Sequence, residues 1–216
     1  MPDYLESGPA DAAATLLLAH GAGAPMDAPA MSAIATALAT AGLRVLRFEF
    51  AYMAARRSGQ RRPPPRAESL MGEYRAAVAG AAALRAPRSR LVIGGKSMGG
   101  RVASMVADDL LDEGAIAGLL CLGYPFHPPG QPAKTRTAHL EALRTATLIA
   151  QGTRDPFGTA EEVAGYALSP AIELLWLADG DHDLKPRKAV SGFTAADHMA
   201  TLAGAVRAWV DRLPSA

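Results

Sequence analysis

The sequence predicts an α/β protein: a mostly parallel sheet of about six strands with helices on both faces, in a single domain over residues 1–216. Three observations carry this reading. Short apolar runs alternate with longer segments of helical periodicity. The runs are apolar at consecutive positions, as in strands buried on both faces. No internal repeat and no linker interrupts the alternation.

"ATLLLAH" (Ala14–His20) is the first strand and ends at "GAGAP". "MDAPAMSAIATALATAG" follows as a helix, with Asp27 as its expected N-cap and Gly42 as its stop. "LRVLRFEF" (Leu43–Phe50) is the second strand. The Arg- and Pro-rich stretch "RRSGQRRPPPR" reads as a loop, and a helix follows over about 67–84. "RLVIGG" is the third strand, leading into a helix from Met98 to Leu111. "AIAGLLCLGYP" is the fourth strand, with a Pro-rich loop and a short helix at about 138–143 behind it. "ATLIAQG" is the fifth, followed by a helix at about 160–167. "IELLWLA" is the sixth, and a last helix spans about 194–213, with Met199, Leu202, Val206, Trp209 and Val210 near helical spacing.

Composition narrows the function. Half of the 216 residues are hydrophobic and 20% are charged, as in a soluble globular domain. A net charge of +1 gives no global pull toward nucleic acid or an anionic membrane. The single cysteine, Cys121, excludes an internal disulfide and suits a reducing compartment. The N-terminal "MPDYLESGPADAAA" lacks the apolar centre of a signal peptide, and no apolar run approaches a membrane span. A cytoplasmic protein is expected.

"LVIGGKSMGGR" (Leu91–Arg101) offers two chemistries for one serine. Its GKS triplet suggests a phosphate-binding loop, but that motif needs a glycine five residues before Gly95, where Arg90 stands. Leu91–Ile93 also belong to the strand, so no loop remains to wrap a phosphate. The Gly-x-Ser-x-Gly reading fits every position from Gly95 to Gly99, between an apolar strand and a helix. Such a sharp turn lifts the Ser97 hydroxyl above the sheet edge and leaves no room for side chains two residues either side. Helix N-terminal N–H groups would face any negative charge developing there.

A serine hydroxyl needs a base, and the base needs an orienter. "QGTRDPFG" after the fifth strand offers Asp155, and "ADGDHDLK" after the sixth offers His182. Both lie beyond the carboxyl ends of strands, where open α/β sheets bind ligands. The order Ser97, Asp155, His182 is that of one known triad arrangement.

With these residues in hand, the chain resembles the α/β-hydrolase fold, in particular small lidless members near the dienelactone-hydrolase-like group. "HGAG", "GGKSMGGR", "GTRDPFG", "GDHDLK" and "RFEFAYM" carry the resemblance over nearly the whole chain. It implies a usual sheet of eight strands that would here lack its first two. It also implies an oxyanion hole from the backbone N–H of Met98 and that of Ala22 or Gly23. Dienelactone hydrolases proper use a cysteine nucleophile, so Ser97 argues against their substrate. Dehalogenases and epoxide hydrolases of this fold need an aspartate at that position.

Other residues have plainer readings. His20 is expected to orient the oxyanion loop, His198 to pack within the last helix, and His127 and His139 to be structural. Asp179, Asp181 and Asp183 surround His182 and are expected to face solvent. Cys121 reads as a small core residue. Arg56, Arg57, Arg61, Arg62 and Arg66 form either a solvated loop or a site for an anionic substrate group. No metal set is evident, no cofactor is needed, and Ala24 and Pro25 spoil a dinucleotide motif. The expected activity is hydrolysis of short-chain carboxylic esters or thioesters, a small-molecule substrate being the only partner implied. Tyr124 and Phe126, leaving the fourth strand at the active-site edge, are expected to line a shallow acyl pocket. The alternative is an idle scaffold of the same fold used for binding.

Overall fold

A computed structural model describes residues 3–60 and 62–214. One seven-stranded sheet runs through it, built from β1 (Leu5–Ser7), β2 (Ala14–Ala19), β3 (Arg44–Phe48), β4 (Arg90–Lys96), β5 (Gly118–Leu122), β6 (Thr147–Gly152) and β7 (Ile172–Leu177). Their spatial order is β1-β3-β2-β4-β5-β6-β7. All pairings are parallel except that of β1 with β3. The helices are α1 (Pro29–Thr40), α2 (Ala51–Arg57), α3 (Met71–Leu84), α4 (Met98–Asp112), α5 (Ala160–Val163), α6 (Lys188–Ser191) and α7 (Ala195–Arg212).

Strand side chains alternate between two apolar layers. Leu16 and Leu18 of β2 join Ile34 and Leu38 of α1 and Leu202 and Trp209 of α7. Leu17 of β2 joins Tyr74 of α3 and Val102 and Val106 of α4 on the opposite face. Both faces are covered, so the central strands have no wet side and read as continuous apolar runs. Cys121 is buried in the second layer, and burial pushes its thiol up.

The sheet has one strand more than expected. The residues of β1, "LES", carry no apolar run, and their extended form comes from pairing with the edge of β3. Tyr4 donates its hydroxyl to the carbonyl of Ala77, and Glu6 pairs with Arg44 at 2.7 Å. The expected capping by Asp27 is also corrected. Helix α1 begins at Pro29, with Ala28 at the N-cap and no side-chain cap. The fixed φ of proline suits a first helical turn, and Asp27 instead pairs with Arg57. The last helix does carry a side-chain cap, a reciprocal one between Thr194 and Asp197. Residues 51–57, expected in a loop, form α2, whereas residues 138–140 make only a 3-10 turn. No helix among the described residues is long and apolar enough to cross a membrane.

Tyr74 ties the helix layer to the central strand. Its buried hydroxyl donates to the carbonyl of Gly94 at 2.7 Å and accepts the N–H of Gly94 at 2.8 Å. Tyr74→Phe keeps the ring and removes both bonds. We expect it to destabilise the chain by about 1–3 kcal/mol, read as a lower urea midpoint with unchanged slope. A variant as stable as the parent would mean that the hydroxyl is not holding the strand.

Candidate active site

β4 ends in a sharp turn whose residue is the N-cap of α4. Ser97 occupies it with φ 52° and ψ −117°, a conformation that costs energy for any residue but glycine. The surroundings force it. A Cβ on Gly95 would lie 2.5 Å from the carbonyl oxygen of Ala19, and one on Gly99 would lie 2.6 Å from that of His20. The turn therefore rests directly on the backbone at the end of β2.

Two further strand ends deliver the remaining groups. Asp155 follows β6 and is fully buried. His182 follows β7, and its side chain is about one-fifth exposed. The Nδ1–H of His182 donates to Asp155 Oδ2 at 2.8 Å, because a carboxylate can only accept. The other ring nitrogen is then an acceptor, and the Ser97 hydroxyl donates to Nε2 at 2.9 Å.

The Asp155 carboxylate is held on every side. Its Oδ1 accepts the N–H of Phe157 at 2.9 Å, so the local Asp-Pro turn and the histidine contact use separate oxygens. Its Oδ2 also accepts from Gln151 Nε2 at 2.9 Å. Gln151 in turn accepts the N–H of Tyr124 at 2.7 Å, linking β6 to the end of β5. The Phe157 ring stacks on the imidazole of His182, with centroids 4.1 Å apart. Gln151 and Phe157 had no role in the sequence reading. Gln151 sits in an otherwise apolar strand four residues before Asp155, and a polar side chain there is the signal that could have marked it.

Of the other carboxylates near His182, expected to face solvent, Asp183 does and Asp181 does in part, whereas Asp179 is largely buried, a correction, and all three have partners. Asp179 pairs with Arg187 and, at 3.4 Å, with Arg154. Asp181 accepts the N–H groups of Asp183 and Lys185 at 2.9 and 3.0 Å. Asp183 remains exposed but meets Lys96 Nζ at 3.4 Å. Lys96, the lysine of the GKS triplet, is buried, and burial lowers its pKa against the pull of that carboxylate.

The loop after β2 is oriented by His20. Its Nε2 accepts the N–H of Phe50 at 3.2 Å, which puts the proton on Nδ1, and Nδ1–H donates to the carbonyl of Gly21 at 2.6 Å. Burial lowers the pKa of His20, so the ring is held neutral in this tautomer. The Tyr52 hydroxyl donates to the carbonyl of Ala22 at 3.1 Å. In a trans peptide the N–H points opposite to the carbonyl. With these carbonyls turned to His20 and Tyr52, the N–H groups of Ala22 and Gly23 are turned away from them. Ala22, Ser97 and Met98 share the wall of one cavity of about 350 Å³; Gly23 is not in that wall.

Tyr124 and Phe126, expected in the pocket, are both fully buried. Their rings pack on each other 4.9 Å apart, and the residue between them, Pro125, reaches the cavity. These residues lie beyond the end of β5, after Gly123 with φ 62°, and the irregular backbone there turns the side chains on either side of Pro125 into the interior. Of the described loop arginines only Arg66 lines the cavity. Arg57 is taken by Glu49 and Asp27, Arg56 donates to the carbonyl of Arg62, and Arg61 lies outside the described residues. The remaining histidines are engaged elsewhere. His198 donates to the carbonyl of Leu184, His127 contacts the carbonyl of Pro128, and His139 contacts Ser104.

Comparison with known proteins agrees with this architecture. Residues 12–211 match a family model described as an alpha/beta hydrolase domain. Among solved structures, an α/β serine hydrolase without lid from Xanthomonas campestris superposes with TM-score 0.69 at 20% identity, covering 100% of this chain and 96% of that one. The esterase domain of a Rhodothermus marinus protein gives 0.66 at 19% identity, covering 98% and 93%. A dienelactone hydrolase from Anabaena variabilis gives 0.65 at 19% identity, covering 98% of each chain. The family match spans both core layers and every strand end that carries a site residue, and the chain belongs to the α/β-hydrolase family.

Proposed function

We propose that this chain is a serine hydrolase that cleaves short-chain carboxylic esters or thioesters through an acyl-enzyme intermediate. The observation that carries the reading is the unbroken run of hydrogen bonds from Ser97 through His182 to Asp155, at 2.9 and 2.8 Å. His182 takes the hydroxyl proton as Ser97 Oγ attacks the acyl carbon. Asp155 keeps the ring in the tautomer that leaves Nε2 free to accept and stabilises the imidazolium that forms. The N–H groups of Met98 and Ala22 receive the oxyanion, one at the start of a helix and one on the loop fixed by His20. The imidazolium returns its proton to the leaving oxygen or sulfur. Water then repeats the sequence on the acyl-enzyme.

Removing the nucleophile tests this directly. Ser97→Ala should lower ester hydrolysis by about 10⁴-fold or more, and only the parent should be labelled by a fluorophosphonate. An unlabelled parent would favour an idle binding scaffold.

The acid has its own test. Asp155→Asn leaves the geometry but favours the wrong tautomer, so it should cost about 10³–10⁴-fold in kcat. Asp181→Asn and Asp183→Asn should each stay within about tenfold, because neither touches His182. A large loss in Asp181→Asn would mean that the acid is misassigned.

The cavity supports short acyl groups. It holds about 350 Å³, and only a 3-10 turn lies in the segment between β5 and β6, where a lid would be inserted. Each methylene is worth about 0.8 kcal/mol only while it is buried. Rates across a chain-length series should therefore peak at about two to six carbons, without activation at a lipid interface. Peak activity on long-chain triglyceride emulsions would refute this.

A further inference from the structure

One wall of the cavity over Ser97 is not needed by the serine chemistry. Arg66, Arg101 and Arg136 reach it from three separate segments, together with one carboxylate, Glu68. Arg66 precedes the 3-10 turn at 67–70, Arg101 lies one turn into α4, and Arg136 stands in the loop after β5. Arg101 donates to Glu68 Oε1 at 2.7 Å, which satisfies one cation of the three. Among the described residues the guanidinium of Arg136 has neither an ion pair nor a hydrogen bond, and Arg66 has no carboxylate partner within salt-bridge distance. The Nε of Arg101 is buried without an acceptor. Burial and the nearby charge of Arg101 both disfavour the cation on Arg136.

This is an expensive arrangement for a fold to keep idle. Two like charges are drawn together in a partly dehydrated pocket, and one buried donor, Arg101 Nε, is left open. Several arginines elsewhere find acids, Arg44 with Glu6, Arg57 with Glu49, Arg144 with Asp112 and Arg212 with Glu173, and others, such as Arg47, Arg85 and Arg90, still donate to carbonyl or hydroxyl oxygens. Arg136 is moreover held in place by its backbone. Its N–H donates to the carbonyl of Phe126 at 2.7 Å, and its own carbonyl accepts from the Tyr124 hydroxyl at 3.1 Å. A flexible solvated cation needs no such anchoring. A guanidinium fork on an anchored backbone, facing the same cavity as a second one, suits the paired oxygens of a carboxylate or a phosphate.

We propose that Arg136 and Arg101, with Arg66, form a subsite for an anionic group on the substrate, so that the preferred substrates are esters or thioesters bearing a second, free carboxylate or phosphate. The proposal rests on the hydrolase reading for the position of the reacting bond. The anion subsite itself does not depend on Ser97 being active.

The test compares each anionic ester with a neutral analogue of the same length. The p-nitrophenyl half-ester of glutarate is set against p-nitrophenyl valerate, and a phosphate-bearing phenyl acetate against its unsubstituted parent. The ratio of kcat/KM, anionic over neutral, should be about 10- to 100-fold for the carboxylate or the phosphate arm, the size of one or two charge-assisted contacts. Added salt should shrink it. Arg136→Met should reduce that ratio by at least about tenfold, and Arg136→Lys should restore part of it. Arg207→Gln, which removes the same charge from the exposed face of α7, should leave the ratio alone. A ratio near one in both arms, or one that survives Arg136→Met, overturns the proposal. Binding of free glutarate and of inorganic phosphate to the Ser97→Ala chain, followed by NMR, separates the two readings. An anion that binds there and is lost on Arg136→Met supports the subsite even if no ester is cleaved. Ester cleavage that depends on Ser97, with no anion preference and no anion binding, overturns the subsite and leaves the hydrolase.

Discussion

The turn at Ser97 depends on how closely β4 and α4 can approach β2. Gly95 and Gly99 leave the backbone of Ala19 and His20 within a distance that no Cβ could tolerate. That contact forces the positive φ of Ser97, and the positive φ puts its hydroxyl above the sheet instead of within it. The same contact sets the loop after β2 beside the first N–H of α4. Ser97 and the N–H groups proposed as oxyanion donors are thus positioned by one packing constraint. Strain at a single residue is sustainable because two fully buried layers of side chains fix the strands around it.

The remaining groups are delivered by neighbouring strands of a parallel sheet, which present their carboxyl ends on one edge. Precision then comes from bonds within that edge. Gln151 spans β6 and the end of β5, Asp155 divides its oxygens between Phe157 and His182, and the Phe157 ring lies against the imidazole. The His182 loop keeps its own carboxylates engaged, so a histidine among four acids has one partner. A competing acid would hold the ring in another orientation, and the cost would appear in the rate and not in the stability.

Legibility followed the physics of each element. Strands buried on both faces announce themselves as apolar runs, and β2, β4, β5 and β6 were readable for that reason, while β7 at the sheet edge was readable from its apolar residues although it is only half-buried. The turn at Ser97 was readable because its sterics demand glycines at two fixed positions. β1 was not, since three residues paired at an edge carry no pattern of their own. Helix α2 was hidden by the arginines that follow it, and the N-cap of α1 by an aspartate whose charge is spent on Arg57. Tyr124 and Phe126 were assigned to the pocket from their place after a strand. Sequence position gives the edge of the sheet, but which of three successive side chains faces the cavity depends on the backbone path beyond it.

Tyr124 and Phe126 do affect the cavity, through the main chain of Arg136 and not through their own surfaces. The two aromatic rings fill the interior below the loop, and their polar atoms fix where the arginine's backbone runs. The cavity accordingly combines apolar lining, from Pro125 and Phe157 among others, with the cationic side chains of Arg101 and Arg136. Under the proposed subsite, a substrate with a charge at its far end would meet these arginines while its reacting carbonyl lies beside Ser97.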